Sequence, residues 1–229
     1  MEITFLGHSS FKLKGKTGSV VTDPFDPQMV GLKYAGVEGD IVTVSHEHND
    51  HNRVSLVKGA KKVISGPGEY EILGISILGF PSFHDDKGGS VRGKNTIYVF
   101  EIDGLRLAHL GDLGHALSEE LVEDLGDIDI LMVPVGGEYT IGPDGAANVV
   151  SAIEPTIVIP MHYQMPGLKP ETFSKLASVD SFLVKFKATF INIFVPLVVK
   201  ILGMQKFGDG NNGVFIQKKR PQDALFGFV

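Results

Sequence analysis

The sequence predicts an α/β domain of two packed sheets covered by helices. Two observations lead there. The first half reads as short strands broken by tight turns, a meander, whereas the second half alternates apolar strands with helical stretches. Two sheets sharing one core, with helices outside, accommodate that order. At 229 residues the chain is long enough to bury a substantial core, and no internal repeat is present at solenoid periods.

Taken in order, residues 2–6, 10–14 and 18–22 form three strands separated by Gly7-His8-Ser9 and Gly15-Lys16-Thr17, ending where Asp23-Pro24 stops the ladder. Asp40–Val44 is a buried strand, β-branched and apolar. Asn52 is placed to cap a short helix over 53–58. Strands follow at 62–65 and 71–79, the second preceded by the turn Gly66-Pro67-Gly68. Asp103-Gly104 marks a hairpin between strands 96–102 and 105–110, because that dipeptide adopts the positive φ angles of a tight hairpin turn. Ser118 caps a helix whose first turn carries Glu119 and Glu120, matched to the positive helix end. Ile128–Val135 is a continuous apolar run, read as a buried strand. A helix over 145–153 and a strand over 156–160 complete the alternation and deliver Met161-His162-Tyr163.

Composition narrows the function. There are no cysteines, which excludes disulfides, thiolate-held zinc and iron–sulfur clusters, so a metal must be held by nitrogen and oxygen. The net charge of −6 argues against a large nucleic-acid footprint, so no nucleic-acid partner is expected. The first residues enter a strand pattern with no basic region or cleavage signal, which makes a cytoplasmic protein the expectation.

Composition also shifts near residue 180. Beyond it stand Lys185, Lys187, Lys200, Lys206, Lys218, Lys219 and Arg220 against only Asp209 and Asp223, and no glutamate follows Glu171. The chain is therefore expected to divide into a domain over 1–180 and an apolar, basic segment over 181–229. Residues 182–204 are rich in apolar side chains but are interrupted by Lys185, Lys187, Asn192, Pro196 and Lys200, which argues against a membrane-spanning helix. A terminal strand or helix packed on the same domain is expected, with membrane-surface contact or a homo-oligomer contact as alternatives.

Chemistry concentrates in Ser45-His46-Glu47-His48-Asn49-Asp50-His51, just past the 40–44 strand. In an extended chain His46, His48 and Asp50 would share one side, and a turn at Asp50 would add His51. Three histidines and an aspartate within six residues point to a metal, with zinc, iron or manganese fitting that donor set. His84, Asp112 and His162 each follow a strand too, on loops where a rigid sheet positions functional groups. One four-coordinate zinc cannot use seven protein ligands, but two ions sharing a bridging carboxylate can.

With these residues set out, the chain is similar to the metallo-β-lactamase superfamily. Its His-x-His-x-Asp-His signature is matched by His46, His48, Asp50 and His51, and the likeness runs to about residue 165 through Asp23, His84, Gly111-Asp112-Leu113-Gly114 and His162. The resemblance implies a four-layer αββα sandwich and a hydrolase with two divalent ions, most simply zinc, with manganese or iron as alternatives. It implies His46, His48 and His84 on one ion, Asp50, His51 and His162 on the other, and Asp112 bridging. A metal-bound hydroxide would then attack an ester-type bond. More loosely, Leu6-Gly7-His8-Ser9-Ser10, Pro134-Val135-Gly136-Gly137 and Tyr139-Thr140-Ile141-Gly142 resemble the branch containing ascorbate-6-phosphate lactonase and N-acyl-phosphatidylethanolamine phospholipase D.

The leading expectation is cleavage of a phosphodiester or lactone in a small anionic substrate. A nuclease of the same fold and a non-catalytic metal-binding scaffold are the alternatives. Asp50 is expected to orient the nucleophile or move its proton. His8 and Arg92 are the further catalytic candidates: His8 is expected either to reach the mouth of the site or to be a surface or ligand-supporting histidine, and Arg92 either to grip an anionic group or to be an exposed loop arginine. Asp23 is expected to orient a ligand histidine, His109 to be a satisfied core residue, and Tyr163 to pack, while His115 is a weaker substrate-contact candidate.

Overall fold

The computed structural model describes residues 1–191, 200–207 and 211–217. The first sheet contains β1 (Glu2–Gly7), β2 (Ser10–Lys14), β3 (Ser19–Thr22), β4 (Ile41–Val44) and β5 (Lys62–Ser65) in sequence order. The first three run antiparallel, whereas β3, β4 and β5 are mutually parallel. The second sheet contains β6 (Gly68–Ile72), β7 (Ile75–Phe83), β8 (Lys94–Ile102) and β9 (Leu105–His109) as an antiparallel run. It continues through β10 (Ile130–Pro134) and β11 (Ile157–Met161), parallel to β9. Backbone of β13 (Asn211–Gln217) pairs with β11, and β12 (Lys200–Phe207) pairs with β13.

Helix α1 (Pro27–Val30) is a single turn capped by Asp26, and a one-turn 3₁₀ segment spans Val54–Leu56. Helices α2 (Glu119–Leu125), α3 (Pro143–Ile153), α4 (Pro170–Phe173) and α5 (Val179–Ile191) follow. Ser118 Oγ accepts from Leu121 N as the α2 cap, as the sequence predicts. Along α3, Ala146, Ala147, Val149, Val150 and Ile153 are buried, the stripe by which a helix covers a sheet. Each fully buried valine or isoleucine there contributes about 1.5–3 kcal/mol. The expected fold class is thus observed: two mixed sheets, their facing sides filled with apolar residues, and helices outside.

Three details differ from expectation. The strand expected over 71–79 is a hairpin, because Leu73 and Gly74 both take positive φ (56° and 70°), as a tight two-residue turn requires. Asn52 does not cap the 3₁₀ turn; its amide donates to Glu47 Oε2 instead. The compositional shift at 180 falls inside α5, which buries Phe182 and Phe186. Of the expected 181–229 segment and the 182–204 apolar stretch within it, residues 192–199, 208–210 and 218–229 lie outside the described residues. Among those described, no helix is long and apolar enough to cross a membrane.

The sheets are joined by hydrogen bonds at the end from which the histidine motif departs. Thr96 N, on β8, donates to Ser45 O at 2.9 Å. Tyr98, fully buried on β8, reaches across: its hydroxyl accepts from Gly66 N at 2.8 Å and lies 3.1 Å from Val44 O. Tyr98→Phe keeps the ring but strands both partners, so a loss of about 1–2 kcal/mol in urea unfolding is expected. A stability within error of wild type would mean that this hydroxyl does not hold the sheets together.

Candidate metal centre

The centre is assembled where β4, β7, β9 and β11 end. The chain leaves β4 at Val44 and turns at once, with His51 N donating to His48 O. Convergence of the motif therefore comes from a turn, and the strand alternation expected from sequence stops at Val44. His84 follows β7, His162 follows β11, and Asp112 follows β9 after Leu110 and Gly111. Gly111 has φ +56°, and a Cβ there would overlap Asn95 Oδ1 and Ser45. Only glycine lets these two loops approach so closely.

All seven expected ligands converge. Three groups place one donor atom from each member within 4.8 Å of the others: His46, His48 and His84; His46, His51 and Asp112; and Asp50, His51 and His162 together with His8. Asp112 Oδ2 is central, at 3.2 Å from His84 Nε2, 3.3 Å from both His51 Nε2 and His162 Nε2, and 3.9 Å from His46 Nε2. All except His48 are buried. His46 Nε2, His51 Nε2, His162 Nε2 and Asp112 Oδ1 are buried without a hydrogen-bond partner. Such groups are costly unless something satisfies them, and a divalent ion does.

Asp23 sets the histidine tautomers. Its carboxylate accepts from Ser45 N (2.8 Å), Ser45 Oγ (2.6 Å) and His51 Nδ1 (2.9 Å). Because the Ser45 hydroxyl proton is spent on Asp23, Ser45 Oγ accepts from His46 Nδ1 at 2.9 Å. Both imidazoles therefore turn Nε2 towards Asp112. Burial pushes the Asp23 pKa up, but the His51 hydrogen bond and nearby imidazoles bring it below the usual value. For His51, burial opposes charge, yet Asp112 and Asp50 raise its pKa well above normal in the metal-free protein. A metal would displace that proton. His46, dominated by burial, falls to about 3.

The mouth is a pocket of about 380 Å³. His48, Asp50, His84 and Asp112 form its floor, and Met29, Arg92, Tyr139 and Phe173 stand around it. Arg92 lies 5.2 Å above the Tyr139 ring and donates to Glu138 O at 3.2 Å. His8 is not at this mouth. It is buried behind Asp50, with Nε2 3.2 Å from Asp50 Oδ2, and burial lowers its pKa to about 4, so it supplies no positive charge to a substrate. His109 is the satisfied core residue expected, donating through Nε2 to Ser9 O. His115 is half-buried and bonds to the Ala116 carbonyl and the Phe83 amide, and it does not line the pocket. Tyr163 is buried, and that burial raises its hydroxyl to about 12.

A model of the beta-lactamase superfamily domain matches residues 2–162. The chain belongs to the metallo-β-lactamase superfamily. Within it, a UPF0173 metal-dependent hydrolase of Thermococcus onnurineus is 32% identical over 206 residues, covering 77% of this chain and 92% of that one. A Pyrococcus abyssi protein of the same description is 29% identical, covering 82% and 96%. Among solved structures, a Thermotoga maritima protein described as a candidate zinc-dependent hydrolase of this superfamily is 44% identical, with a TM-score of 0.65 over 80% of this chain and 84% of that one. Igni18, a metallo hydrolase of Ignicoccus hospitalis, shares the fold at 22% identity and a TM-score of 0.63, over 81% and 90%.

In this superfamily member, sequence reasoning missed two supporting residues. Asn95 holds the Asp112 loop, its Oδ1 accepting from Asp112 N (3.0 Å) and its Nδ2 donating to Leu110 O. Asp85 accepts from the amides of Lys87, Gly89, Val91 and Arg92, tying down the glycine-rich loop that carries Arg92. These amides, that of Arg92 foremost, hold its pKa below the usual carboxylate range. The one available signal was position: an aspartate opening a glycine-rich loop is a common backbone acceptor.

Two outcomes follow. Asp23→Asn turns an amide NH₂ towards Ser45 Oγ and His51, favouring the tautomer that places a proton on His51 Nε2. Zinc affinity in a chelator-competition titration should fall about 10–100-fold, and an unchanged affinity would show that Asp23 does not set the tautomers. The second concerns pH. In the metal-free protein His8, His46 and His109 have lowered pKa values and take up protons near 6.5 only when unfolded. Their stabilisation is present above that value and lost on acidification; His51, raised, acts with the opposite sign. The thermal midpoint of chelator-treated protein should therefore fall between pH 7.5 and 5. A midpoint that rises on acidification would mean that the buried imidazoles are protonated in the folded state.

Proposed function

We propose that the protein is a dinuclear metal-dependent hydrolase acting on an ester-type bond, a phosphodiester or lactone, in a small anionic substrate. The observation that supports this most is the position of Asp112 Oδ2 between two sets of imidazoles. One set is His46, His48 and His84; the other is His51 and His162 with Asp50. The reading assigns one ion to each set, bridged by Asp112. Zinc suits the nitrogen-rich donor set, and the Thermotoga maritima relative is described as a candidate zinc-dependent hydrolase. The likeness of the 6–10 and 134–142 motifs to the lactonase and phospholipase D branch supports the substrate class. The hydrolase domain is taken as residues 1–180, and burial of Phe182 and Phe186 supports packing of the start of the following segment on the same domain.

When bound, the two ions would polarise the scissile group and lower the pKa of water to about 7. The chain's own residues do the rest. Asp50 is held far below the usual carboxylate pKa, burial being outweighed by His51 and the His8 hydrogen bond, so it is ionised and able to accept a hydrogen bond that orients the nucleophile. Arg92, fixed over Tyr139, binds the substrate's anionic group. Met29, Tyr139 and Phe173 shield that part of the pocket from water.

The test combines metal content with turnover. Elemental analysis after dialysis against a weak chelator should give two ions for wild type, about one for His162→Ala, and weakened binding at both sites for Asp112→Ala. Anionic lactones and phosphodiesters should be cleaved faster than their neutral counterparts. Wild-type protein that never exceeds one ion under excess zinc, iron or manganese would end the dinuclear reading. Equal rates on charged and neutral esters would end the anionic one.

A further inference from the structure

The turn between β1 and β2 lies beneath the half of the site formed by Asp50, His51 and His162. His8, at its apex, has φ +56°, a left-handed conformation that costs a non-glycine residue energy and marks positions under functional constraint. Of the six non-glycine residues with positive φ among those described, three belong to this centre: His8, Asp23 and His162. A histidine is held in this strained position, buried to 2% exposure.

Its polar contacts lead to the site. The His8 carbonyl accepts from His162 N at 3.0 Å. His8 Nε2 lies 3.2 Å from Asp50 Oδ2, and the ring sits 4.2 Å, centroid to centroid, from His162. The other nitrogen, Nδ1, is buried without a partner, and Phe173 and Phe25 lie at 5.1 Å and 6.3 Å from the ring. A buried N–H left unpaired costs more than an unpaired lone pair. The proton therefore belongs on Nε2, where Asp50 accepts it.

We infer that His8 is a positioning residue for the second half-site, donating through Nε2–H to Asp50 Oδ2 while its carbonyl fixes the His162 backbone. The hydrogen bond holds Asp50 Oδ2, which also lies 3.6 Å from His51 Nε2, and so fixes how the carboxylate is turned within the half-site. The supporting partner of a metal ligand fixes that ligand's orientation, and losing such a partner weakens metal binding about 10–100-fold. This inference rests on the two-metal reading above, extending it to a residue outside the superfamily signature.

The test titrates zinc against a chromophoric chelator for wild type, His8→Phe and His8→Gln, and records thermal unfolding of each metal-free protein. Phenylalanine fills the ring's space without a donor; glutamine restores an N–H near the position of Nε2. In His8→Phe one of the two zinc affinities should drop about 10–100-fold with the other unchanged, and His8→Gln should recover most of the loss. Wild-type affinities in a folded His8→Phe overturn the inference. So does an equal loss in both variants, which would assign the ring itself to the metal or to packing. Long-range ¹H–¹⁵N spectra of the metal-free protein give an independent reading. They should show His8 protonated at Nε2, and protonation at Nδ1 overturns the inference. If wild type binds only one zinc, the dinuclear reading fails, and this spectrum alone decides for or against the His8–Asp50 contact.

Discussion

The interaction on which the centre depends is one buried carboxylate, Asp23, meeting three donors at once. An unpaired charge in the interior is costly, and Asp23 is tolerated because Ser45 N, Ser45 Oγ and His51 Nδ1 all point at it. That requirement closes the 45–51 turn, since both its ends must reach the same carboxylate. It also decides which nitrogen of His46 and His51 is left as a lone pair. Loop shape and donor set are therefore consequences of one solvation demand.

The rest of the architecture serves to hold that turn against the second sheet. Ser45 and Val44 are bonded across to Thr96 and Tyr98. Asn95, next to Thr96 in sequence, fixes the loop that brings Asp112 to the imidazoles. Asp85 does comparable work at the rim, with backbone amides as its partners. Buried aspartates and an asparagine thus each organise a loop by satisfying its otherwise unpaired backbone groups, the recurring solution wherever chain must be irregular and buried.

This arrangement is costly to the folded chain without metal. Several imidazole nitrogens lack partners, and His8, Asp23 and His162 occupy left-handed backbone conformations. Sites of this kind hold strain that the surrounding core must offset. Here the core is large: buried apolar residues run through both sheets and along α3 into α5. Ligand binding selective for the folded form adds stability, so folding and metal affinity are coupled through the same atoms.

The sequence by itself determined the kind of fold, the strand ends that carry chemistry, and the donor residues that gather. Alternation, apolar runs and turn dipeptides such as Asp103-Gly104 are local signals, and the dense 46–51 motif is local as well. It did not reveal the Leu73-Gly74 turn, because leucine carries no turn signal and pairing of β6 with β7 imposes the conformation. Tertiary structure alone placed His8 behind Asp50 instead of at the mouth, and gave Asn95 and Asp85 their roles. Each of those roles depends on a hydrogen bond to chain brought close by folding or by a loop's curl. Residue spacing encodes periodicity, whereas the identity of a buried group's partner is fixed only when the two sheets meet.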